Sequence, residues 1–400
     1  MNKALEERLE VGFNVNFEQK GDLRFFRAPG RTEIGGNHTD HQHGCVLAAA
    51  VDLAVTACVQ KNDDNVIRIK SEGFPADTID LSDLSVHDDE ANKAAALIRG
   101  IAAKMKKDGH VLGGFDAYTV SNVLKGSGLS SSAAFEDLVG TVINYLYNDG
   151  ALDAVEIAQD SQYAENVYFK KPCGLMDQLA CSYGGLIGVD FQTPEHPVIR
   201  QIPFDIEKAG YKLCIIDSGA DHADLTDEYA AVPAEMKKIA AHFDADVLRD
   251  VKESDFMSAL PALRSECGDR AVLRAMHFYD EQDRVKAQSQ ALINNDTEKF
   301  LSLVSESGRS SFMYLQNVIP SGSIEHQDVA FVLGMCRQLL SDRGAFRVHG
   351  GGFAGTVQAY VPADEAELFI AEMNKVLGED AAVILGISAQ GAGEINSPVK

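Results

Sequence analysis

A glycine- and serine-rich stretch gives the clearest chemical signal in the sequence. It reads Gly126, Ser127, Gly128, Leu129, Ser130, Ser131 and Ser132, followed by two alanines. Glycines let a backbone approach a bound phosphate closely, and serine hydroxyls supply hydrogen-bond donors or a Mg²⁺ ligand. The stretch therefore predicts a phosphate site. It is not a Walker loop, because no Gly-Lys-Ser or Gly-Lys-Thr ending follows.

The segments on either side of this stretch are predicted to be a strand and a helix. Residues 115–120 are β-rich, and apolar residues recur at helical spacing over residues 134–146, before Asn148, Asp149 and Gly150 end the helix. A helix start carries unpaired N–H groups and partial positive charge, which suits an anion. A capped helix after a tight turn is the structural alternative. Three consecutive serines before a long amphipathic helix favour the phosphate site.

A second polar block, residues 27–44, places arginines, amides, histidines and acids between glycines. A sugar site needs side chains of these types, because carboxylates and amides bind hydroxyl groups. A metal site is the weaker alternative: His38, His41 and His43 lie close in sequence, but no matching ligand set has a metal-type spacing. A polar hairpin loop remains open for His41 and His43.

Two further blocks carry candidate functional residues: the first contains a pair of carboxylates, and the second contains a glycine cluster. Glu165 is predicted in the last turn of a helix, and Asp177 follows it by twelve residues, after a turn directed by proline and glycine. Two fixed carboxylates can serve as a metal ligand and a general base, although a helical glutamate is more often solvated. Residues 349–355 are glycine-rich and lie between two predicted strands, where a ligand or another backbone can approach closely.

In this order, the four blocks resemble those of the galactokinases in the GHMP small-molecule kinase superfamily. Residues 30–41 are similar to a signature of the form Gly-Arg-x-Asn-Leu-Ile-Gly-Glu-His-Thr-Asp-Tyr. The serine-rich stretch is similar to the superfamily's phosphate loop, residues 172–178 to its catalytic segment and residues 349–355 to its third motif. The resemblance implies an α+β fold of the GHMP kinase type. Its N-terminal domain would resemble ribosomal protein S5 domain 2, and its C-terminal domain would be ferredoxin-like.

The resemblance also implies an activity, the ATP-dependent phosphorylation of D-galactose at its anomeric hydroxyl with Mg²⁺. Asp177 would accept or stabilise the proton of that hydroxyl, and Arg31 would keep Asp177 ionised and neutralise the transferring phosphoryl group. Ser132 and Glu165 would bind Mg²⁺, and the amides of residues 126–131 would hold the ATP phosphates. The residues implied to contact the sugar are Asn37, His38, Asp40, Gly174 and Tyr229.

Four positions depart from the signature: Glu33 replaces its asparagine, Gly35 its isoleucine, Asn37 its glutamate and His41 its tyrosine. Asn37 matters most, because the family's glutamate meets the C6 side of the sugar. An amide still forms hydrogen bonds there but does not repel a substrate carboxylate. A kinase for another pyranose, such as a uronic acid, is therefore one alternative. A non-catalytic sugar and nucleotide sensor is a second, which the intact serines argue against.

Composition limits the class of protein and its location. The 400 residues suggest two or three domains at ~150 residues each, and a proline-containing polar run at residues 192–197 divides the chain into domains 1–197 and 198–400. The net charge of −24 argues against nonspecific binding to nucleic acid or anionic membranes. Seven scattered cysteines fit free thiols, and no apolar run suits a signal peptide or a membrane span. We therefore expect a cytoplasmic protein, and the resemblance implies that its partners are small molecules, a sugar and ATP.

Overall fold

The computed structural model describes residues 1–123, 128–171, 173–220 and 225–395. Helices and strands are mixed along the chain, which confirms the α+β class. The α-helices are α1 (Lys3–Asn16), α2 (Ala94–Lys107), α3 (Ser131–Tyr147), α4 (Ala154–Tyr163), α5 (Met176–Tyr183), α6 (Thr226–Ala241), α7 (Glu253–Cys267), α8 (Asp269–Ile293), α9 (Thr297–Ser310), α10 (Asp328–Leu340) and α11 (Ala366–Leu377). The strands are β1 (Arg24–Gly35), β2 (Cys45–Lys61), β3 (Val66–Ser71), β4 (Ala76–Asp80), β5 (Phe115–Ser121), β6 (Leu186–Asp190), β7 (Val198–Gln201), β8 (Tyr211–Asp217), β9 (Ala345–His349), β10 (Thr356–Pro362), β11 (Ala382–Leu385) and β12 (Gly393–Ile395).

The larger sheet is built around the long strand β2. Its order is β12-β1-β2-β5-β3-β4, with β6 added beside β2 and β7 beside β6. Because β2 is 17 residues long, residues 45–49 can pair with β6 while residues 55–61 pair with β5. The β3–β5 pair is parallel and the other pairs are antiparallel. Helices α2 and α3 cover this sheet with buried side chains that include Ile98, Ile101, Leu138 and Val142.

The smaller sheet has four antiparallel strands in the order β11-β8-β10-β9. Numbered along the chain this is 4-1-3-2, and helices follow the first and third strands, which is the ferredoxin-like arrangement. The ferredoxin-like prediction is therefore confirmed. Helices α10 and α11 pack against this sheet through side chains such as Val332 and Phe369. Helices α6, α7 and α8 form a separate apolar cluster that includes Val232, Phe256 and Phe278.

Two strands beyond residue 197 belong to the larger sheet. Strand β7 pairs with β6, and strand β12 pairs with β1. The division of the chain at residues 197 and 198 therefore stays a proposal, and the chain returns to its first sheet near the C-terminal end of the described residues. Among the helices of the described residues, none combines the length and the apolar character that crossing a membrane requires.

Candidate active site

An ion pair between Arg31 and Asp177 lies at the centre of the candidate site. Arg31 donates from Nε and Nη2 to the two carboxylate oxygens of Asp177, at 2.7 and 2.6 Å. Arg31 lies on β1 where the pairing with β2 shifts register, and Asp177 lies in the first turn of α5. The two residues are 146 positions apart in sequence, and the fold joins them in a bidentate pair.

The surroundings of Asp177 keep its carboxylate ionised. Burial by itself raises the pKa of this group, but the Arg31 charge and hydrogen bonds from Arg31 and Ser130 outweigh burial and hold the pKa below its ordinary value. The Asp177 side chain remains 32% exposed, whereas that of Arg31 is 8% exposed. A charged carboxylate therefore faces an accessible space while its partner is fixed behind it.

The serine-rich stretch contacts this ion pair directly. Gly126 and Ser127 lie outside the described residues. The carbonyl of Gly128 accepts from Arg31 Nη1, and the carbonyl of Leu129 accepts from the Arg31 backbone N–H at 3.1 Å. The hydroxyl of Ser130 donates to Asp177. Ser130 has φ +54°, an uncommon conformation for a residue with a side chain and one that is often found at functional sites.

Helix α3 begins immediately after Ser130, as the sequence predicts. Ser131 and Ser132 are its first two residues, so their backbone N–H groups have no partners within the helix. Both residues are only half-buried. The start of α3 therefore presents N–H groups and a hydroxyl beside Asp177, which is an arrangement suited to a phosphate and to a cation bound with it.

Glu165 lies beside a second buried carboxylate. Helix α4 continues into a wider π-helical turn, Ala164–Phe169, a feature frequent at functional sites, and this turn carries Glu165. One carboxylate oxygen of Glu165 accepts from Gln178 Nε2 at 2.9 Å, and the other lies 3.2 Å from Lys171 Nζ. Gln178 also donates to Glu136 at 3.1 Å. Burial, followed by the charge of Glu165, raises the pKa of Glu136 well above its usual range.

Sequence reasoning missed Glu136, although its position carried a signal. It lies four residues after Ser132 on α3, and residues at this spacing share one face of a helix. An acidic residue one turn beyond a predicted metal-binding serine could have been identified from that spacing alone. Its contact with Gln178 depends on α5 and was not visible in the sequence.

The glycine turn between β9 and β10 receives side chains from two other segments. His38 Nε2 lies 3.0 Å from the carbonyl of Gly351, and the Tyr229 hydroxyl donates to the carbonyl of Gly352 at 2.8 Å. A carbonyl only accepts, so Nε2 of His38 carries a proton. A Cβ at Gly351 would lie 2.6 Å from the Tyr229 ring, so this close contact depends on glycine. The signature segment and α6 are thus joined through this turn.

Asp40 and Gly174 lie against each other. A Cβ at residue 174 would be 2.0 Å from Oδ2 of Asp40, so only glycine fits without moving the carboxylate. Burial raises the pKa of Asp40 to about 6, and the nearby charge of Asp177 adds to the shift. The structure therefore places the charged groups of Asp40, Asp177 and Arg31 close enough to affect one another. Gly174 lies against the Asp40 carboxylate.

Asn37 does not lie where it could make the sugar contact that the resemblance implies. It is 0% exposed, and its Nδ2 donates to Glu33 at 3.1 Å and to the carbonyl of Gly350 at 2.6 Å. Its Oδ1 accepts from Asn317 Nδ2 at 2.9 Å and from the Ser311 hydroxyl at 3.3 Å. These contacts use both amide hydrogens and both acceptor positions. Asn37 therefore joins the signature segment to its neighbours and presents no polar atom to a ligand.

Two other departures from the signature have partners in this chain. The carboxylate of Glu33, close to Asn37, forms a fully buried ion pair with Arg347 of β9. Gly35 makes room for Gln288, because a Cβ at residue 35 would lie 2.2 Å from its Oε1. The altered signature is therefore matched by side chains from β9 and α8.

His38 and His41 form a neutral hydrogen-bonded chain. Gln42 Nε2 lies 3.2 Å from Nδ1 of His41, and His41 Nε2 lies 3.4 Å from Nδ1 of His38. Burial lowers the pKa of both imidazoles, to about 4 for His38. In the part of the chain that the structure describes, no three His, Cys, Asp or Glu side chains form a group that could hold a metal ion. The histidine-based metal alternative therefore gains no support.

Comparison with protein families and relatives identifies the superfamily. Residues 96–185 match the model of the GHMP kinases N terminal domain, and residues 12–61 match the galactokinase galactose-binding signature. A galactokinase from Streptomyces coelicolor is 33% identical over 341 residues, which are 84% of this chain and 84% of that protein.

Solved structures show the same fold. Lactococcus lactis galactokinase complexed with galactose superposes with a TM-score of 0.81 at 23% identity, covering 98% of this chain and 100% of that chain. Methanococcus jannaschii mevalonate kinase superposes with a TM-score of 0.64 at 15% identity, covering 92% and 99%. These likenesses confirm the GHMP kinase fold. Together with the Streptomyces relative, they lead to one assignment: the chain belongs to the galactokinase family of the GHMP kinases.

Proposed function

We propose that this protein transfers the γ-phosphoryl group of ATP to the anomeric hydroxyl of D-galactose, giving galactose 1-phosphate and ADP. The observation that carries the proposal is the Arg31–Asp177 pair and its contacts with Gly128 and Ser130. A carboxylate and a guanidinium thus lie beside a helix start suited to phosphates. Membership of the galactokinase family supports the choice of sugar and reaction.

The chemistry follows from the charges of the ion pair. Phosphoryl transfer passes through a loose transition state, so the nucleophile needs positioning and charge stabilisation more than strong activation. The ionised Asp177 accepts a hydrogen bond from the anomeric hydroxyl and receives or stabilises its proton as the new oxygen–phosphorus bond forms. Arg31 holds this carboxylate in place and offsets the negative charge of the transferring group.

Ser132 and Glu165 are the residues that would hold Mg²⁺. One hydroxyl and one carboxylate are a fitting protein donor set, because Mg²⁺ is usually bound by one or two carboxylates together with water and substrate phosphates. The bound ion supplies neutralisation of phosphate charge. The amides of Gly128, Leu129, Ser130 and Ser131 would bind the ATP phosphates. The same role for residues 126 and 127 stays a prediction from the sequence.

Asp40, His38, Gly174 and Tyr229 form the proposed sugar side of the site. Asp40 provides a carboxylate acceptor for hydroxyl groups, and Gly174 leaves the room that this carboxylate needs. His38 and Tyr229 hold the glycine turn that borders the site. The uronic-acid alternative depended on an accessible amide at residue 37, and the full burial of Asn37 removes that reason.

We also propose a cytoplasmic location, with the sugar and ATP as the partners of the protein. The seven cysteines are free, as in proteins of reducing compartments. The acidic net charge of −24 supports the expectation that nucleic acid is not a partner.

A panel of sugars tests the function directly. The purified protein, ATP and Mg²⁺ are combined with D-galactose, D-glucose, N-acetyl-D-galactosamine or D-galacturonate, and release of ADP gives kcat/KM for each. We expect galactose to lead the panel, and ³¹P NMR to show phosphate on the anomeric oxygen. Absence of turnover with galactose, or a clear lead for another sugar, would overturn the proposal.

A further inference from the structure

We propose that Lys171 is a positioning residue whose ammonium group holds the carboxylate of Glu165 in the free enzyme and moves to the nucleotide phosphates when Mg²⁺ binds that carboxylate. The inference deepens the proposed function and rests on its assignment of Glu165 as a Mg²⁺ ligand. It assigns a role to a cation that the sequence motifs do not single out.

Lys171 contacts Glu165 through both its side chain and its backbone. Lys171 Nζ lies 3.2 Å from Oε1 of Glu165, and the Lys171 backbone N–H donates to the Glu165 carbonyl at 3.1 Å. Lys170 precedes it with φ +70°, which ends the π-helical turn and brings the chain back toward Glu165. The Glu165 carboxylate is 4% exposed and the Lys171 side chain 62% exposed. The ammonium therefore covers a buried carboxylate from the solvent side.

The buried contacts of Glu165 leave its negative charge without compensation unless a cation such as Lys171 is present. Gln178 donates to Glu165 and to the neighbouring buried Glu136, so one neutral amide serves two carboxylates. Among the ion pairs of the described residues, Lys171 is the partner of Glu165, and Glu136 has none. A buried carboxylate without a compensating charge is costly. Lys171 supplies the charge until a metal ion does so.

The position of Lys171 also suits a second role near the phosphates. Lys171 contacts Glu165, and Glu165 accepts from Gln178, the residue that follows Asp177 in α5, so one side chain joins the Lys171–Glu165 pair to the neighbour of Asp177. Lysine carries a compact charge on a flexible stem and commonly binds phosphate as a point charge. When Mg²⁺ replaces the ammonium on Glu165, we expect the Lys171 ammonium to move to the phosphates that accompany the ion.

Substitution of Lys171 in the full-length enzyme separates this proposal from a simple surface role. The readouts are the Mg²⁺ concentration that gives half of the rise in Tm at fixed ADP, and kcat for galactose. Lys171→Met should lower the half-saturating Mg²⁺ severalfold, because the competing ammonium is gone, and should reduce kcat about tenfold or more. Lys171→Arg should raise the half-saturating Mg²⁺, because a guanidinium grips a carboxylate through two hydrogen bonds.

Lys170→Met is the matched control. It removes the same charge from the adjacent position, whose side chain is exposed and forms no ion pair with the described residues. We expect it to behave as the wild type in both readouts. The proposal is overturned if Lys171→Met matches this control in either readout, or if Lys171→Met does not fold and Lys171→Arg leaves the Mg²⁺ dependence unchanged. Failure of the wild type to phosphorylate galactose would instead overturn the proposed function.

Discussion

Replacing Gly174 by alanine should impair the use of galactose while leaving ATP binding and the fold intact. A Cβ at this position would lie 2.0 Å from Oδ2 of Asp40, whereas ordinary contact begins at 3.4 Å. The carboxylate must therefore withdraw by about 1.4 Å, the difference between these two distances. The substitution moves one proposed sugar ligand without removing it.

The size of the effect follows from this displacement. Hydrogen bonds between oxygen atoms span about 2.5–3.0 Å, so a withdrawal of this size takes the Asp40 carboxylate out of range of a sugar hydroxyl. A hydrogen bond to a charged group contributes about 1.5–3 kcal/mol, and about 1.4 kcal/mol corresponds to a factor of ten. We therefore expect kcat/KM for galactose to fall about 10- to 100-fold.

Initial rates of ADP release against galactose and against ATP measure the effect. The KM for ATP should stay within a factor of two or so of the wild type, because Gly174 belongs to the proposed sugar side of the site. Gly334→Ala on α10 is the control, since its added Cβ meets no atom within 4 Å. In an Asp40→Ala background, Gly174→Ala should cost little more, because its target is already absent. A folded Gly174→Ala enzyme with wild-type kcat/KM would refute the reasoning.

Three other changes test the remaining parts of the site. Asp177→Asn should lower kcat about 10²- to 10⁴-fold while calorimetry still detects galactose binding; retained turnover would contradict the role of this carboxylate. Because burial raises the pKa of Asp40 to about 6, half of this carboxyl is charged at that pH, so kcat/KM for galactose should rise as the pH passes through about 6 and level off above it. Asp40→Asn should remove this limb, and persistence of the limb would assign it to another group. Arg347→Met should lower the free energy of unfolding by about 3–5 kcal/mol, because it leaves the Glu33 carboxylate buried without its partner. Denaturant unfolding measures this loss, and adding Glu33→Gln should recover part of it; equal stability of Arg347→Met and wild type would contradict the account.

Elements with a clear hydrophobic period were predictable from the sequence. Residues 211–217 have the pattern of a short buried strand and residues 328–340 that of a helix, and β8 and α10 have these same boundaries. Pro233 predicts an interruption of α6, which is wrong, because the helix continues through it. Val232 and Met236 on either side of the proline are fully buried, and their packing outweighs the loss of one helical hydrogen bond.

Local polar signals were easier to overlook. The periodicity of residues 271–305 predicts one long helical region, but α8 ends at Ile293 and α9 begins at Thr297. Asp296 caps the second helix by accepting from the Lys299 N–H, and an aspartate ahead of an apolar period is a known start signal. Helix α7 and the hairpin of β3 and β4 were not predicted at all.

The candidate site also contains residues that local motifs indicated and contacts that only the fold creates. Arg31 and Asp177 each belong to a short contiguous motif that resembles one of the galactokinases, and that resemblance implied their roles. Glu33 and Arg347 are 314 residues apart, and their ion pair exists only because β9 lies against β1. Asn37 has the right type for a sugar contact, yet its burial depends on Asn317 and Ser311, which no local pattern connects to it.

A crystal structure with galactose and a non-hydrolysable ATP analogue with Mg²⁺ would test the central claim most directly. The account predicts the anomeric oxygen within hydrogen-bond distance of the Asp177 carboxylate, with the terminal phosphate between Arg31 and the start of α3. Galactose bound elsewhere, or a terminal phosphate remote from Arg31 and Asp177, would contradict it.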